Sequence, residues 1–175
     1  MATYKDAGVN IKATDAIIKN IASFSKLTAG PNQKYEIGSF AGIFDLKKCG
    51  YSDPLLVTST DGIGTKILLG IETELLDGLG FDLVGMCVND LIVRGIRPQF
   101  FLDYIAMDKI DNDKLMTIVN SIKRACSTAG CKLIGGETAE MPGVYRSGCL
   151  DLAGFSVGTK EGELYPKVDR IKYGM

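Results

Sequence analysis

Histidine is absent from the 175-residue sequence. This absence excludes catalysis by a Ser-His-Asp or Cys-His arrangement, an imidazole general base, and zinc or iron sites with histidine ligands. The remaining acid–base and ligand groups are carboxylate, Lys, Tyr, Cys and the backbone. A metal site built from these groups would be rich in oxygen, which suits Mg²⁺ better than a transition metal.

The sequence also lacks a charge excess, a long apolar run and a CxxC pair. Its 20 Lys and Arg residues against 21 Asp and Glu give a net charge of −1, so no attraction to nucleic acid or an anionic membrane is expected. No apolar run approaches the roughly 20 residues of a membrane span, and the N-terminus has no secretory apolar region. The five cysteines favour reduced, mostly buried thiols in a cytoplasmic protein.

The composition and the apolar pattern are typical of a globular domain with both helices and strands. Hydrophobic residues make up 46% of the chain, and the length fits one domain of about 100–200 residues. The spacing of apolar residues predicts helices over 14–27, 82–95 and 111–130, and strands over 55–60, 99–107, 131–134 and 150–159. This alternation predicts a mixed α/β sheet rather than a purely parallel, doubly wound one.

Four acidic residues occupy positions where packing does not require a carboxylate. Asp61 follows an apolar strand, and Glu137 follows two glycines after another. Asp103 interrupts an apolar strand, and Asp90 lies within a helix, one position off its apolar stripe. A half-buried carboxylate is costly unless it is paired or holds a cation, so the set requires either separate Arg and Lys partners or shared Mg²⁺. Any one of them alone is more often a turn or capping residue.

The segment Gly62-Ile63-Gly64-Thr65-Lys66 combines two glycines with a hydroxyl and a cation. It is not a P-loop, because the order and spacing differ. Its small residues let the backbone approach an anion, while Thr65 and Lys66 supply a hydroxyl and a positive charge. A tight turn into residues 67–69 explains the same residues equally well. The second glycine-rich segment, 38–42, matches no dinucleotide fingerprint and fits either a flap or an ordinary loop.

Five motifs occur together in one order along the chain. They are YKDAGV at 4–9, TDGIGTK at 60–66, MCVNDL at 86–91, FFLDY at 100–104 and GGETAEMPG at 135–143. In order and spacing these motifs resemble the phosphoribosylformylglycinamidine cyclo-ligase family, also called the aminoimidazole ribonucleotide (AIR) synthetase family. The resemblance covers essentially the whole sequence.

The resemblance implies a particular fold and domain organisation. The fold is an α/β domain with a mixed, largely antiparallel sheet flanked by helices, and this sheet pairs with that of a second subunit into a barrel-like homodimer. Residues 1–30 would form an arm and a helix, 31–165 the ATP-binding N-terminal domain, and 166–175 the start of a linker. The family's C-terminal domain, which supplies one wall of the cleft, is missing from this sequence, so the chain is expected to be inactive alone.

The resemblance also implies a reaction and its residues. The reaction is the ATP-dependent ring closure of formylglycinamidine ribonucleotide to AIR, with ADP and phosphate, in purine biosynthesis. Such phosphoryl transfer depends on Mg²⁺ and charge neutralisation, so a site without histidine is suitable. The implied Mg²⁺ ligands are Asp61, Asp90 and Glu137, and the implied catalytic residues are Asp61, Asp90 and Lys66. Contacts with ATP or substrate are implied for Lys5, Asp6, Gly8, Gly62, Gly64, Thr65, Lys66, Asn89, Asp103, Gly135, Gly136, Glu137 and Thr138.

Two other functions fit the same sequence. One is a non-catalytic dimerisation and nucleotide-binding module, since the strands at 55–60 and 99–107 suit pairing between subunits. The other is a superfamily relative with another substrate, such as thiamine-monophosphate kinase. FLDY at 101–104 and the motif at 135–143 favour the cyclo-ligase, because they resemble that family specifically.

Overall fold

The computed structural model describes residues 41–162 and 172–174. In chain order its elements are a 3₁₀ turn at Leu46–Cys49, β1 (Pro54–Gly62), α1 (Lys66–Thr73), α2 (Leu79–Ile92), β2 (Arg97–Met107), α3 (Asn112–Ala129), β3 (Lys132–Glu140) and β4 (Leu150–Glu161). The predicted helix over 14–27, the YKDAGV motif and most of the predicted linker lie outside the described residues. No helix in the described part of the chain is long and apolar enough to cross a membrane.

The four strands form one sheet in the order β1-β4-β2-β3. Strand β4 runs antiparallel to both β1 and β2, whereas β2 and β3 are parallel. The predicted mixed and largely antiparallel sheet is therefore confirmed. Because β1, β2 and β3 share one direction, their carboxyl ends meet at the same edge of the sheet, which we call the carboxyl edge.

The two faces of the sheet differ in what covers them. Helices α2 and α3 pack on the helix-facing side, where Phe101 and Ile105 of β2 are fully buried in the core. Side chains alternate along a strand, so the intervening residues point to the other side, which we call the open face. On it Leu56 is 54% exposed, and Tyr104 and Phe155 are each 37% exposed.

The crossing of α2 and α3 depends on a glycine. A Cβ atom added at Gly80 would overlap the backbone of Ser121 and Ile122 in α3. Ser121 is fully buried at this crossing, and its Oγ donates a hydrogen bond to the carbonyl of Asp77, just before α2. The helices therefore approach to backbone contact, which only a residue without a side chain permits.

Helix α3 forms as the sequence predicts, whereas the structures of two other segments differ from the prediction. Asp111 caps α3 by accepting from the N–H groups of Asp113 and Lys114, and Gly130 ends it with a φ of 70°. Helix α1 was not predicted, and β3 continues to Glu140 although its predicted end was residue 134. The prediction ends the strand before the two glycines that follow Ile134, but pairing with β2 holds them in the strand.

We expect Gly80→Ala to destabilise the protein by at least about 2 kcal/mol, because the added methyl group meets backbone atoms of α3 that cannot rotate away. Gly85→Ala is the matched control in the same helix, since nothing lies within 4 Å of a Cβ atom there. It should stabilise the protein by up to about 1 kcal/mol through helix propensity. Urea unfolding of both variants measures the effects, and equal effects would contradict the close crossing.

Candidate active site

Two of the predicted acidic residues lie in one row across the helix-facing side of the sheet. In this aspartate row, Asp61 of β1 pairs with Gly154 of β4, which pairs with Asp103 of β2, which pairs with Gly136 of β3. The two glycines leave space for the neighbouring side chains, which a Cβ atom at either position would fill. A Cβ atom at Gly136 would overlap the Asp103 carboxyl group, and one at Gly154 would overlap the ring of Phe101.

Glu137 lies apart from the other predicted ligands. It pairs with Tyr104 in the next row, which belongs to the open face, and β4 and β2 separate its strand from β1. The structure therefore does not bring Glu137 together with Asp61 and Asp90. Within residues 41–162 and 172–174, no group of three or more acidic or cysteine side chains is arranged to hold a metal ion.

Asp61 and Asp90 are brought together by contacts between β1 and α2. The Ser59 hydroxyl donates to Oδ2 of Asp90 at 3.0 Å, and Ser59 lies on the same side of β1 as Asp61. The Cys87 thiol, one helical turn before Asp90, donates to the carbonyl oxygen of Asp61 at 3.8 Å. These two contacts place Asp90 beside Ser59, two residues before Asp61 on β1.

The Cys87 thiol remains a hydrogen-bond donor at neutral pH. Burial raises its pKa to about 11, and the nearby negative charges of Asp61 and Asp90 also disfavour the thiolate. Cys87 is fully buried in the core, in agreement with the prediction that most of the thiols are buried. Its contact with Asp61 adds a link between α2 and the end of β1.

The segment from Gly62 to Lys66 turns the chain sharply from β1 into α1. Gly64 has a φ of +70°, a conformation that favours glycine. Thr65 is exposed at the N-cap position of α1 and makes no capping hydrogen bond with its side chain. Lys66 forms an ion pair with Asp82 of α2, with Nζ 2.7 Å from Oδ1. A phosphate bound here would have to compete with Asp82 for Lys66.

Asp103 faces the protein core rather than the exposed end of α2. It lies between Phe101 and Ile105, both fully buried, on the same side of β2. Burial raises the pKa of its carboxyl group to about 7, because desolvation disfavours the charged form. The carboxyl group is near enough to Cys126 of α3 to disfavour its ionisation too. A fraction of Asp103 is therefore neutral at physiological pH.

Burial separates the four acidic residues into two pairs. Asp61 and Asp103 are half-buried, whereas Asp90 and Glu137 are exposed. The expectation that burial makes every one of these carboxylates costly is therefore wrong for the exposed pair, which solvent stabilises.

The remaining predicted contacts lie on α2 and β3 or outside the described residues. Asn89 is exposed beside Asp90 on α2. All four of the predicted contact residues on this strand lie within β3 rather than after its end: Gly135, Gly136, Glu137 and Thr138. Lys5, Asp6 and Gly8 lie outside the described residues.

A separate cavity of about 460 Å³ lies where α3 begins. Two lysines, Lys109 and Lys114, line it together with Asp111 and the loop before β4. None of the residues predicted for the site lines this cavity, so it is distinct from the pair Asp61 and Asp90.

Sequence reasoning missed Ser59, Gly154 and the hydrogen bond of Cys87. Two spacings in the sequence indicated these contacts. Ser59 is two residues before Asp61, which places both side chains on one side of a strand. Cys87 is three residues before Asp90, which places both on one face of a helix. No local pattern marks Gly154, because its importance depends on the strand pairing on both of its sides.

The mixed sheet with helices on one side agrees with the result of a family comparison. Residues 38–159 match the family described as AIR synthase related protein, N-terminal domain. This match spans more than half of the sequence, and the chain belongs to that family.

Solved structures show the same fold at low sequence identity. Thiamine-monophosphate kinase from Stenotrophomonas maltophilia K279a has a TM-score of 0.64 at 19% identity, covering 83% of this chain and 42% of that one. HypE, a hydrogenase maturation protein from E. coli, has a TM-score of 0.65 at 17% identity, covering 92% and 48%. HypE in complex with ATP gives 0.64 at 21% identity, covering 93% and 44%. The chain thus spans less than half the length of each.

Asp103→Asn is expected to remove a pH dependence of stability. The folded-state pKa of about 7 exceeds the ordinary value of 3.8, so the folded protein binds this proton more tightly than the unfolded chain does. The wild-type protein therefore loses stability, by up to roughly 4 kcal/mol, as the pH rises from about 4 to about 7.

The Asn variant has no proton to release there. It should be more stable than wild type at about pH 8, and the difference should disappear near pH 4. Urea unfolding at the two pH values measures this difference. A difference of the same size at both would show that Asp103 ionises like an exposed Asp.

Proposed function

We propose that this chain is the N-terminal, nucleotide-binding half of an ATP-dependent enzyme. The observation that carries the proposal is the packing of α2 against the end of β1, where Ser59 contacts the Asp90 carboxylate and Cys87 contacts the Asp61 carbonyl oxygen. Two carboxylates with a hydroxyl and a carbonyl oxygen nearby are hard oxygen donors, which fit Mg²⁺. Mg²⁺ bound with ATP would neutralise the charge of the phosphates during phosphoryl transfer.

Six of the predicted residues have a place in this proposal. Asp61 and Asp90 hold Mg²⁺ and with it the triphosphate. The exposed turn at Gly64 and Thr65 offers backbone and hydroxyl groups to a phosphate, and Lys66 exchanges Asp82 for phosphate when the nucleotide binds. Glu137 contributes from the open face, to metal or substrate on that side.

We assign the substrate from the motifs rather than from the fold. The motifs at 60–66, 100–104 and 135–143 include parts of β1, β2 and β3, the three parallel strands, and the motif at 86–91 lies on α2, which packs against β1. They support formylglycinamidine ribonucleotide as the substrate. ATP phosphorylates the formyl oxygen, and the amidine nitrogen then attacks the same carbon and displaces phosphate, which closes the ring to AIR.

A kinase that acts on thiamine monophosphate is the second candidate, and its support is the shared fold with thiamine-monophosphate kinase. The two candidates differ in the acceptor of the phosphoryl group. Phosphate released from MgATP with formylglycinamidine ribonucleotide supports the cyclo-ligase, whereas thiamine diphosphate formed from thiamine monophosphate supports the kinase. Nucleotide binding with neither reaction, in a polypeptide that also has a C-terminal domain, supports the non-catalytic module.

Asp90→Ala is expected to weaken Mg²⁺-dependent binding of a non-hydrolysable ATP analogue by at least about tenfold, because one of two proposed metal ligands is lost. Isothermal titration measures the change. Glu72→Ala, which removes an exposed carboxylate from α1, is the control and should bind as wild type does. Equal affinity of the Asp90 variant and wild type would contradict the metal assignment.

We also propose that the open face forms the homodimer interface. Leu56, Tyr104 and Phe155 present exposed apolar surface across the three strands β1, β2 and β4. Exposed apolar patches of this kind mark protein–protein contacts, and apolar surface shielded between two sheets favours association.

Phe155→Asp is expected to shift the protein from dimer to monomer, because the interface would bury an unpaired charge. Analytical ultracentrifugation measures the change. Leu75→Asp is the control, because Leu75 is 74% exposed and lies between α1 and α2. A wild-type monomer, or a Phe155 variant that remains a dimer, would contradict this interface.

A further inference from the structure

Asp90 has an exposed side chain on α2, and exposure by itself does not hold a side chain in one rotamer. Exposed side chains change rotamer on the picosecond-to-nanosecond timescale. A carboxylate that binds a metal performs better when a second group holds it in one orientation, since metal ligands are themselves usually hydrogen-bonded. The structure supplies such a group on the neighbouring strand.

Ser59 is the group that contacts this carboxylate. Its Oγ lies 3.0 Å from Oδ2 of Asp90, and the second oxygen of a carboxylate can accept from another donor or bind a cation. Ser59 is two residues before Asp61 on the same side of β1. One short stretch of strand therefore carries one proposed ligand and the hydroxyl that orients the other.

A second serine holds the backbone of the same helix. Ser156 of β4 is the register partner of Ser59, and its Oγ donates to the carbonyl oxygen of Cys87 at 3.1 Å. Ser156 is fully buried, whereas Ser59 is half-buried. The two neighbouring serines thus contact α2 in different ways. Ser156 donates a hydrogen bond to the backbone of the helix, and Ser59 donates one to the side-chain carboxylate of Asp90.

We propose that Ser59 is a positioning residue that orients Asp90 toward the Mg²⁺ of a bound nucleotide. This inference rests on the proposed function, since it assumes that Asp90 is a metal ligand. Ser59 itself is outside the set of predicted ligands and acts through Asp90. Loss of its hydroxyl therefore weakens the metal-dependent part of nucleotide binding and leaves the metal-independent part unchanged.

The test is isothermal titration of the 175-residue chain with a non-hydrolysable ATP analogue, in excess Mg²⁺ and separately in EDTA. Ser59→Ala should weaken binding about tenfold in Mg²⁺ and leave binding in EDTA unchanged. Ser59→Thr keeps a hydroxyl and should restore most of the affinity. Ser127→Ala removes an exposed hydroxyl from α3 and should match wild type. Circular dichroism and urea midpoints establish that every variant is folded.

A double variant tests whether Ser59 acts through Asp90. Ser59→Ala combined with Asp90→Ala should bind no more weakly than Asp90→Ala alone, because the hydroxyl then has no carboxylate to orient. Additive losses, an unchanged Ser59 variant, or equal losses in Mg²⁺ and EDTA would each overturn the inference. If the Asp90 variant loses Mg²⁺-dependent affinity and the Ser59 variant does not, the proposed function stands and this inference fails. Wild-type binding without any Mg²⁺ dependence would overturn both.

Discussion

The close seating of α2 against the sheet and against α3 is the contact on which the candidate site depends. Gly80 lets α2 touch the backbone of α3. Gly154 lies beneath the same helix, where an added Cβ atom would be 2.9 Å from the Cys87 sulfur. A side chain at either position would push α2 outward. The 3.0 Å bond between Ser59 and Asp90 would then be lost, and with it the approach of Asp90 to the end of β1.

The sheet gathers the motifs at one edge but divides them between two faces. Parallel directions of β1, β2 and β3 bring their carboxyl ends together, and the alternation of side chains sends Asp61 to the helix-facing side and Glu137 to the open face. The proposed nucleotide site and the proposed subunit interface therefore lie on opposite faces of one thin layer.

The sequence predicted those features that depend on contacts between residues close together along the chain, and it did not predict those that depend on distant residues. Helix α3 was predicted to within a residue at each end, because its cap at Asp111 and its terminal Gly130 act through neighbouring backbone groups. Residues 135–140 were misassigned because two adjacent glycines weaken a strand by themselves, and here the neighbouring strand β2 supplies the compensating hydrogen bonds. Asp90 is exposed, contrary to the prediction, although its place beside the apolar stripe of α2 was a local sign of exposure. The sequence did not predict that the side chain of Asp103 faces the protein core.

The sequence by itself determined the kind of chemistry available: oxygen ligands without imidazole, small residues beside acidic ones, and an order of motifs that marks a family. These properties depend on residue type and on spacing along the chain. Only the tertiary structure decided which acidic residues meet, because that depends on strand register and on how closely a helix approaches a sheet. Both are set by pairing with residues such as Gly154 and Ser121, which are distant in sequence from the carboxylates that they bring together or keep apart.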